Sequence, residues 1–162
     1  MQMYSEAIIR EVLFAYGMAD AAYQLIRQNE NLTSMVKFRG KRYALRIHKQ
    51  VEGFDTSLFT NGRSAADLFR SEIELLNYMD SNGFSGLQRP VRNLQGSYVT
   101  VLHSGVPAML LTWVDGETIK KEDGSRYAEA LGELACRIHK AAQGFAEDRP
   151  RYDSDLSDRM IL

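Results

Sequence analysis

Hydrophobic side chains recur at helical spacing in three segments of the chain. They predict a first helix over 5–16 with Ser5 as its N-cap, and a second over 64–79 with Ser64 as its N-cap. A third helix is predicted over 125–143. Its apolar face carries Leu131, Leu134, Ala135, Ile138 and Ala142.

Shorter stretches between these helices alternate in part between apolar and polar residues, which is typical of β-strands. A tight turn at 39–41 and a hairpin turn at 93–96 separate some of them. The predicted strands cover 22–27, 33–38, 42–47, 98–102 and 107–114. The composition of 50–62 is irregular and predicts a loop.

The predicted order of elements is helix, three strands, helix, two strands, helix. Antiparallel strands with a helix packed on one face form an α+β layer, so the predicted fold class is α+β with a sheet of about five strands. The third helix would begin a helical part that the chain does not complete.

Length and composition limit the classes of partner. With 162 residues, 44% of them hydrophobic, the chain can bury a core as one domain or as two small lobes. A net charge of -1 supplies no basic field, so neither nucleic acid nor a membrane is an expected partner. A single cysteine, Cys136, excludes an internal disulfide, and no signal peptide or spanning run is present. We therefore expect a cytoplasmic protein.

An arginine on the third predicted strand is the first candidate for chemistry. Side chains alternate along a strand, so Ala44 and Arg46 share one face. Alanine leaves room for a flat base, and the guanidinium two positions later can reach phosphate oxygens. The alternative is an ordinary arginine on a strand.

A glutamate on the second predicted helix strengthens the first interpretation. Glu72 lies on the same helical stripe as Leu68 and Leu76, together with Leu75 and Met79. A carboxylate among leucines is costly unless it is paired, so a helix packed on the strands would pair Glu72 with Arg46. The alternative is a structural ion pair that binds no ligand.

Two further segments have polar groups that a nucleotide can use. Asn31, Thr33 and Ser34 belong to a polar turn that can present backbone N–H groups and hydroxyls to phosphates, although the same residues also suit a plain β-turn. The strand end at 112–116 can offer backbone groups to an adenine edge. For Trp113, a core or interface aromatic is an equally open interpretation. No metal site or catalytic triad is predicted from the three histidines.

In their order along the chain, these segments resemble the aminoglycoside phosphotransferase family, which also holds choline kinases and type II homoserine kinases with a protein-kinase-like fold. The matching segments are 30–31, 43–47, 71–76, 111–116 and 131–139. The resemblance implies a kinase-like N-terminal lobe over 1–111, a hinge over 112–116 and the beginning of a helical C-terminal lobe over 117–162.

The resemblance also implies a ligand and roles for the candidates. ATP or another nucleoside triphosphate would bind with Mg²⁺ in the intact parent, and its γ-phosphoryl would pass to a hydroxyl of a small molecule. Arg46 would bind phosphate with Glu72 as its partner, and Ala44 would lie against the base. Asn31, Thr33 and Ser34 would lie over the phosphates, and Thr112, Trp113 and Val114 would meet adenine.

One departure from the family limits these expectations. Family members have a His-Gly-Asp-type catalytic loop and a later metal-binding aspartate, and no histidine follows His139 here. We therefore expect this chain alone, as part of a phosphotransferase, not to catalyse. The alternative is a naturally short, non-catalytic module that binds a nucleotide or a protein. If the chain is part of a longer phosphotransferase, the open face of the third helix would favour a homodimer.

Overall fold

The computed structural model describes residues 6–29, 31–48, 63–117 and 119–145. In chain order its helices and strands are α1 (Glu6–Ala15), β1 (Ala22–Gln28), β2 (Asn31–Phe38), β3 (Lys41–His48), α2 (Ala65–Ser81), β4 (Val99–Val101), β5 (Pro107–Thr112), a 3₁₀-helix (Lys121–Tyr127) and α3 (Ala128–Ala142). This order confirms the predicted α+β class. The proposed cap Ser5 and the predicted loop over 50–62 lie outside the described residues.

The five strands form one antiparallel sheet in the order β1-β2-β3-β5-β4. The predicted turn between β2 and β3 is confirmed, because Arg39 and Gly40 both have positive φ, 47° and 74°. Two consecutive residues of this kind match the right-handed twist of a hairpin's strands. Glycine accepts that backbone freely, whereas arginine adopts it at a cost.

Each face of the sheet buries its own apolar cluster, because successive side chains of a strand point to opposite sides. On one face, Leu45, Ile47 and Leu110 are buried together with Val12 and Leu13 of α1. On the other face, residues of β3, β4 and β5 meet α2. This second cluster contains Ala44, Phe69, Ile73, Val99, Met109 and Leu111.

Helix α2 begins where the sequence predicts. The Ser64 hydroxyl accepts the Asp67 backbone N–H at 3.2 Å, and the Asp67 carboxylate accepts the Ser64 backbone N–H at 3.3 Å. This reciprocal capping box satisfies donors that a helix N-terminus leaves unpaired. The apolar positions of α2 that are fully buried are Phe69, Ile73 and Met79.

The buried stripe of α2 therefore differs from the predicted one. Leu68, Leu75 and Leu76 are only half-buried. Tertiary packing has selected a neighbouring face of the helix, since Phe69 and Ile73 fill the space above β3 and β5. Glu72 consequently lies at the edge of the buried face with the half-buried leucines of its predicted stripe, and not at the centre of that face.

Helix α3 is attached to the end of α2. The Tyr78 hydroxyl donates to the Gln143 carbonyl at 2.8 Å, and the Asn82 side-chain amide donates to the Ala141 carbonyl at 3.2 Å. These bonds satisfy carbonyls that a helix C-terminus leaves free. Helix α3 is shorter than predicted because a 3₁₀-helix occupies residues 121–127. None of the described helices is both long and apolar enough to span a bilayer.

Candidate functional site

An ion pair joins the centre of the sheet to helix α2. Nη1 of Arg46 on β3 donates to Oε1 of Glu72 on α2, and the side chains are 25% and 37% exposed. The Arg46 guanidinium carbon also lies 5.7 Å from the centre of the Phe69 ring. A guanidinium has five N–H donors, and among the described residues Glu72 is the only hydrogen-bond acceptor that it meets. Arg46 therefore keeps donors for a further anion.

Ala44 lies on the same face of β3 as Arg46, as the alternation predicts. It is buried in the second cluster, and its direct partner on β5 is Leu111. The surroundings of Ala44 are therefore apolar and suit a flat ring. The residue itself is not an open surface in this structure.

The predicted polar turn before β2 is a strand. Strand β2 begins at Asn31, so Thr33 and Ser34 have ladder partners, Arg46 and Leu45. Thr33 is half-buried on the Arg46 side of the sheet. Asn31 pairs with His48 at the strand end, and its side-chain oxygen Oδ1 is buried without a partner among the described residues.

Ser34 requires a correction. The sequence predicts its hydroxyl to lie with Asn31 and Thr33 over the phosphates, but it points to the opposite face of the sheet, because it is opposite Leu45. The side chain is completely buried in the layer that α1 covers, and Oγ has no hydrogen-bond partner among the described residues. The structure does not bring this hydroxyl to the Arg46 side.

At the end of β5, the polar groups of Thr112 are already bonded within the protein. Its N–H donates to the Arg89 carbonyl and its hydroxyl accepts the Arg89 N–H, both at 2.8 Å. Its carbonyl accepts from Nε2 of Gln88 at 3.3 Å. The Trp113 N–H donates to the Arg42 carbonyl at 3.2 Å, and its half-buried ring packs against the second cluster.

The next residue is different. Val114 is exposed, and within the described part of the chain its backbone N–H makes no hydrogen bond. The chain is held close to this point by Arg42, whose Nη2 lies 2.7 Å from Oδ2 of Asp115. The Trp113 carbonyl and the Val114 N–H are therefore backbone groups of the predicted hinge that no described residue engages.

The charged groups that the structure describes near this face are not gathered into a metal-binding cluster. No group of three or more His, Cys, Asp or Glu side chains in the described residues is placed to hold a metal ion. At the N-terminus of α2, the hydrogen bond from the Ser64 hydroxyl holds the pKa of Asp67 below its ordinary value, and Arg70 acts in the same direction.

Sequence comparison identifies the family. A family model described as "Phosphotransferase enzyme family" (APH) matches residues 23–160, which is most of the chain. The chain belongs to the phosphotransferase enzyme family. No curated protein matches the chain.

Solved structures of similar fold are kinases and phosphotransferases. An amicoumacin kinase in complex with AMP-PNP and Ca²⁺ superposes with a TM-score of 0.64 at 19% identity, covering 93% of this chain and 46% of that one. A microcompartment-associated aminopropanol kinase gives 0.64 at 17% identity, covering 92% and 45%. A spectinomycin phosphotransferase in complex with ADP and spectinomycin gives 0.57 at 10% identity, covering 98% and 42%. At these identities the comparison shows the fold alone.

The present chain spans less than half the length of each of these structures.

Gln88 and Arg89 were not predicted as part of the site. Their sequence signal is the Pro90 that follows, which favours extended backbone but does not name a partner strand.

Proposed function

We propose that the described residues form the nucleotide-binding half of a phosphotransferase that moves the γ-phosphoryl group of ATP to a hydroxyl group of a small molecule. The observation that carries the proposal is the Arg46–Glu72 ion pair on the face of the sheet that α2 covers. Membership of the phosphotransferase enzyme family supports the reaction class. The bound nucleotides named for two structures of similar fold, AMP-PNP and ADP, support the choice of ligand.

Arg46 is the proposed phosphate ligand. An arginine next to a phosphate gains charge-assisted hydrogen bonds, provided that its guanidinium is held in one orientation. Glu72 supplies that orientation by accepting from Nη1, which leaves the other donors free among the described residues. Glu72 is thus a positioning residue, and Thr33, opposite Arg46 on β2, is the neighbouring hydroxyl on the same side.

The base would lie towards the end of β5. The Trp113 carbonyl and the Val114 N–H are polar, and the adjoining part of the Arg46 face is apolar at Ala44 and Leu111, whose side chains are buried in this structure. A nucleobase needs both kinds of contact, because its edges form hydrogen bonds and its faces are apolar. ATP is the proposed nucleotide, and GTP is the comparison that a binding assay should include.

A divalent cation is not assigned to residues of this part of the chain. Mg²⁺ binds carboxylate and phosphate oxygens, and the described residues do not gather a cluster of carboxylates for it. In the proposal the nucleotide brings Mg²⁺ as its complex, and no step is ascribed to a protein-bound ion here.

Nucleotide binding to the full 162-residue chain tests the proposal. Calorimetric titration with Mg·ATP is to be compared between the wild type, Arg46→Ala and Glu72→Gln. Loss of a charge-assisted hydrogen bond should weaken the affinity of Arg46→Ala by about tenfold or more. Glu72→Gln should have a smaller effect, because the guanidinium is then less firmly oriented but still present.

A matched control is available on the same helix. Arg70 is an arginine of α2 that pairs with Asp67 at the surface, away from Arg46. Arg70→Ala should leave the affinity for ATP unchanged. The proposal fails if the chain binds no ATP. It also fails if Arg46→Ala binds ATP as tightly as the wild type and the Arg70→Ala control do.

The acceptor belongs to the proposal only as a chemical class. The structures of similar fold are named for an aminopropanol and for two antibiotics, amicoumacin and spectinomycin. A phosphorylation screen of the intact protein with ATP against amino alcohols, homoserine and aminoglycosides would identify the class.

Self-association is a second, separate proposal. Leu131, Leu134 and Ile138 follow each other on one side of α3 and are 48%, 41% and 37% exposed. Exposed apolar side chains on one side of a helix suit a contact with another protein surface. We propose that two copies of the chain associate through this face.

A further inference from the structure

The segment that follows α2 runs beside the end of β5. Pro90 forms a bridge with Leu111, and the Val91 N–H donates to the Leu110 carbonyl at 2.9 Å. Residues 88–91, called the brace here, therefore lie beside the last residues of β5, where the strand leads into residues 113–116. Its contacts concentrate on Thr112, the last residue of the strand.

Thr112 makes three hydrogen bonds to the brace. Two of them are reciprocal with Arg89, through the Thr112 N–H and hydroxyl, and the third brings the Gln88 side-chain amide to the Thr112 carbonyl. The hydroxyl bond is the only one of the three that depends on the Thr112 side chain. The Thr112 N–H is thus used, and the hydroxyl and carbonyl oxygens each already accept one hydrogen bond from the brace.

The brace is also tied to α2. Nη2 of Arg89 lies 2.7 Å from Oδ1 of Asp80, near the end of the helix. The same helix carries Glu72, which orients Arg46. One helix is therefore connected to the proposed phosphate ligand at one point and to the end of β5 at another.

We propose that Thr112 is a positioning residue, whose hydroxyl holds the end of β5 against the brace so that the backbone of residues 113–114 faces a nucleoside base in a fixed orientation. This role rests on the proposed nucleotide site, and it changes the predicted role of Thr112 from a direct ligand to a support. The residues that touch the base are then Trp113 and Val114, through their backbone.

The experiment separates the base end from the phosphate end. Binding of adenosine and of inorganic tripolyphosphate to the full chain is followed by NMR titration in the wild type, Thr112→Val and Thr112→Ser. Valine has the shape of threonine without the hydroxyl, so Thr112→Val should bind adenosine about fivefold more weakly, with unchanged affinity for tripolyphosphate. Thr112→Ser keeps the hydroxyl and should bind adenosine as the wild type does.

Thr100→Val is the matched control. The Thr100 hydroxyl accepts from the Asn93 side-chain amide at 3.0 Å in a buried site on β4, so this variant loses a comparable hydrogen bond away from the hinge. It should lower stability and leave adenosine binding unchanged. The positioning role is overturned if Thr112→Val binds adenosine normally, if Thr112→Ser is equally weakened, or if tripolyphosphate binding falls in parallel.

Failure of the proposed function itself has a different signature. A wild-type chain that binds neither adenosine nor ATP would refute the nucleotide site, and amide hydrogen exchange then tests the brace alone. If the Arg89 N–H exchanges faster in Thr112→Val and at the wild-type rate in Thr112→Ser, the Thr112 hydroxyl stabilises the position of the brace. Equal exchange in all three proteins overturns it.

Discussion

Arg46 and Glu72 form an ion pair across the packing of β3 against α2, and solvent reaches less than half of either side chain. On the same helix, Arg70 and Asp67 form an ion pair with side chains that are 54% and 48% exposed. The Arg70–Asp67 pair is local to α2, whereas the Arg46–Glu72 pair joins α2 to β3 and is less exposed. Their comparison therefore tests what the packing of α2 on β3 adds to an ion pair.

A double-mutant cycle on Arg46→Ala and Glu72→Gln should give a coupling free energy of about 1 kcal/mol, because partial burial reduces screening by water. Urea unfolding of the wild type, both single variants and the double variant measures it. The corresponding cycle on Arg70→Ala and Asp67→Asn should give a smaller coupling. Equal couplings for the two pairs would show that the packing of α2 adds nothing to the Arg46–Glu72 interaction.

Removal of the buried Ser34 hydroxyl is expected to stabilise the protein. Oγ of Ser34 is fully buried and has no partner among the described residues, so its desolvation is not offset by a hydrogen bond. Ser34→Ala should raise the free energy of unfolding by about 1 kcal/mol. Nucleotide binding should not change, since this hydroxyl is on the opposite face from Arg46.

The control for Ser34 is a serine whose hydroxyl is satisfied. Oγ of Ser97 donates to the Val99 carbonyl at 2.8 Å, so Ser97→Ala should lower the stability. Urea denaturation of the two variants gives the comparison directly. If Ser34→Ala destabilises the protein as Ser97→Ala does, the buried hydroxyl has a partner in solution and the interpretation is wrong.

Ser34 also shows which features of the site the sequence can predict. Alternation along a strand correctly puts Ala44 and Arg46 on one face, because that relationship is internal to β3. The side on which Ser34 points depends on where β2 begins and how it is aligned with β3. A shift by one residue reverses every side chain, and treating Asn31, Thr33 and Ser34 as one polar turn ignored the alternation that separates Ser34 from Thr33.

The contacts of Thr112 illustrate a second limit. Periodicity predicts both β5 and α2, but the brace contacts Thr112 from 23 residues earlier in the chain. Nothing local in either segment specifies this pairing. By contrast, Ser64 and Asp67 were close enough in sequence for the N-terminus of α2 to be predicted correctly.

Tyr16 is expected to make stability dependent on alkaline pH. Burial raises the pKa of Tyr16 above its ordinary value of 10.0, and its hydroxyl donates to the Tyr98 carbonyl at 3.1 Å. Because the pKa of Tyr16 is higher in the folded protein than in the unfolded chain, its contribution to the free energy of unfolding is fully present below the pKa of the unfolded chain. It is lost as the pH rises through the folded value.

Tyr16→Phe tests this sign. Near pH 8 the variant should be less stable than the wild type by about 1 kcal/mol, because one hydrogen bond is missing. Above a pH of about 10 the difference should shrink, since the unfolded wild type then releases a phenol proton that the folded protein retains, and phenylalanine has no such proton. Urea unfolding at both pH values measures the difference, and an equal loss of stability in the two proteins would contradict the assignment.

The open face of α3 leads to the last prediction. Leu131 and Leu134 are neighbours on that face, so replacing both with glutamate should introduce like charges into a symmetric contact between two copies. Sedimentation velocity at increasing concentration should show self-association of the wild type and a monomer for the double variant. Leu94→Glu is the control, because Leu94 is 73% exposed but lies in the turn before β4. A wild type that stays monomeric at the highest concentration, or association lost equally in Leu94→Glu, would exclude α3 as the contact surface.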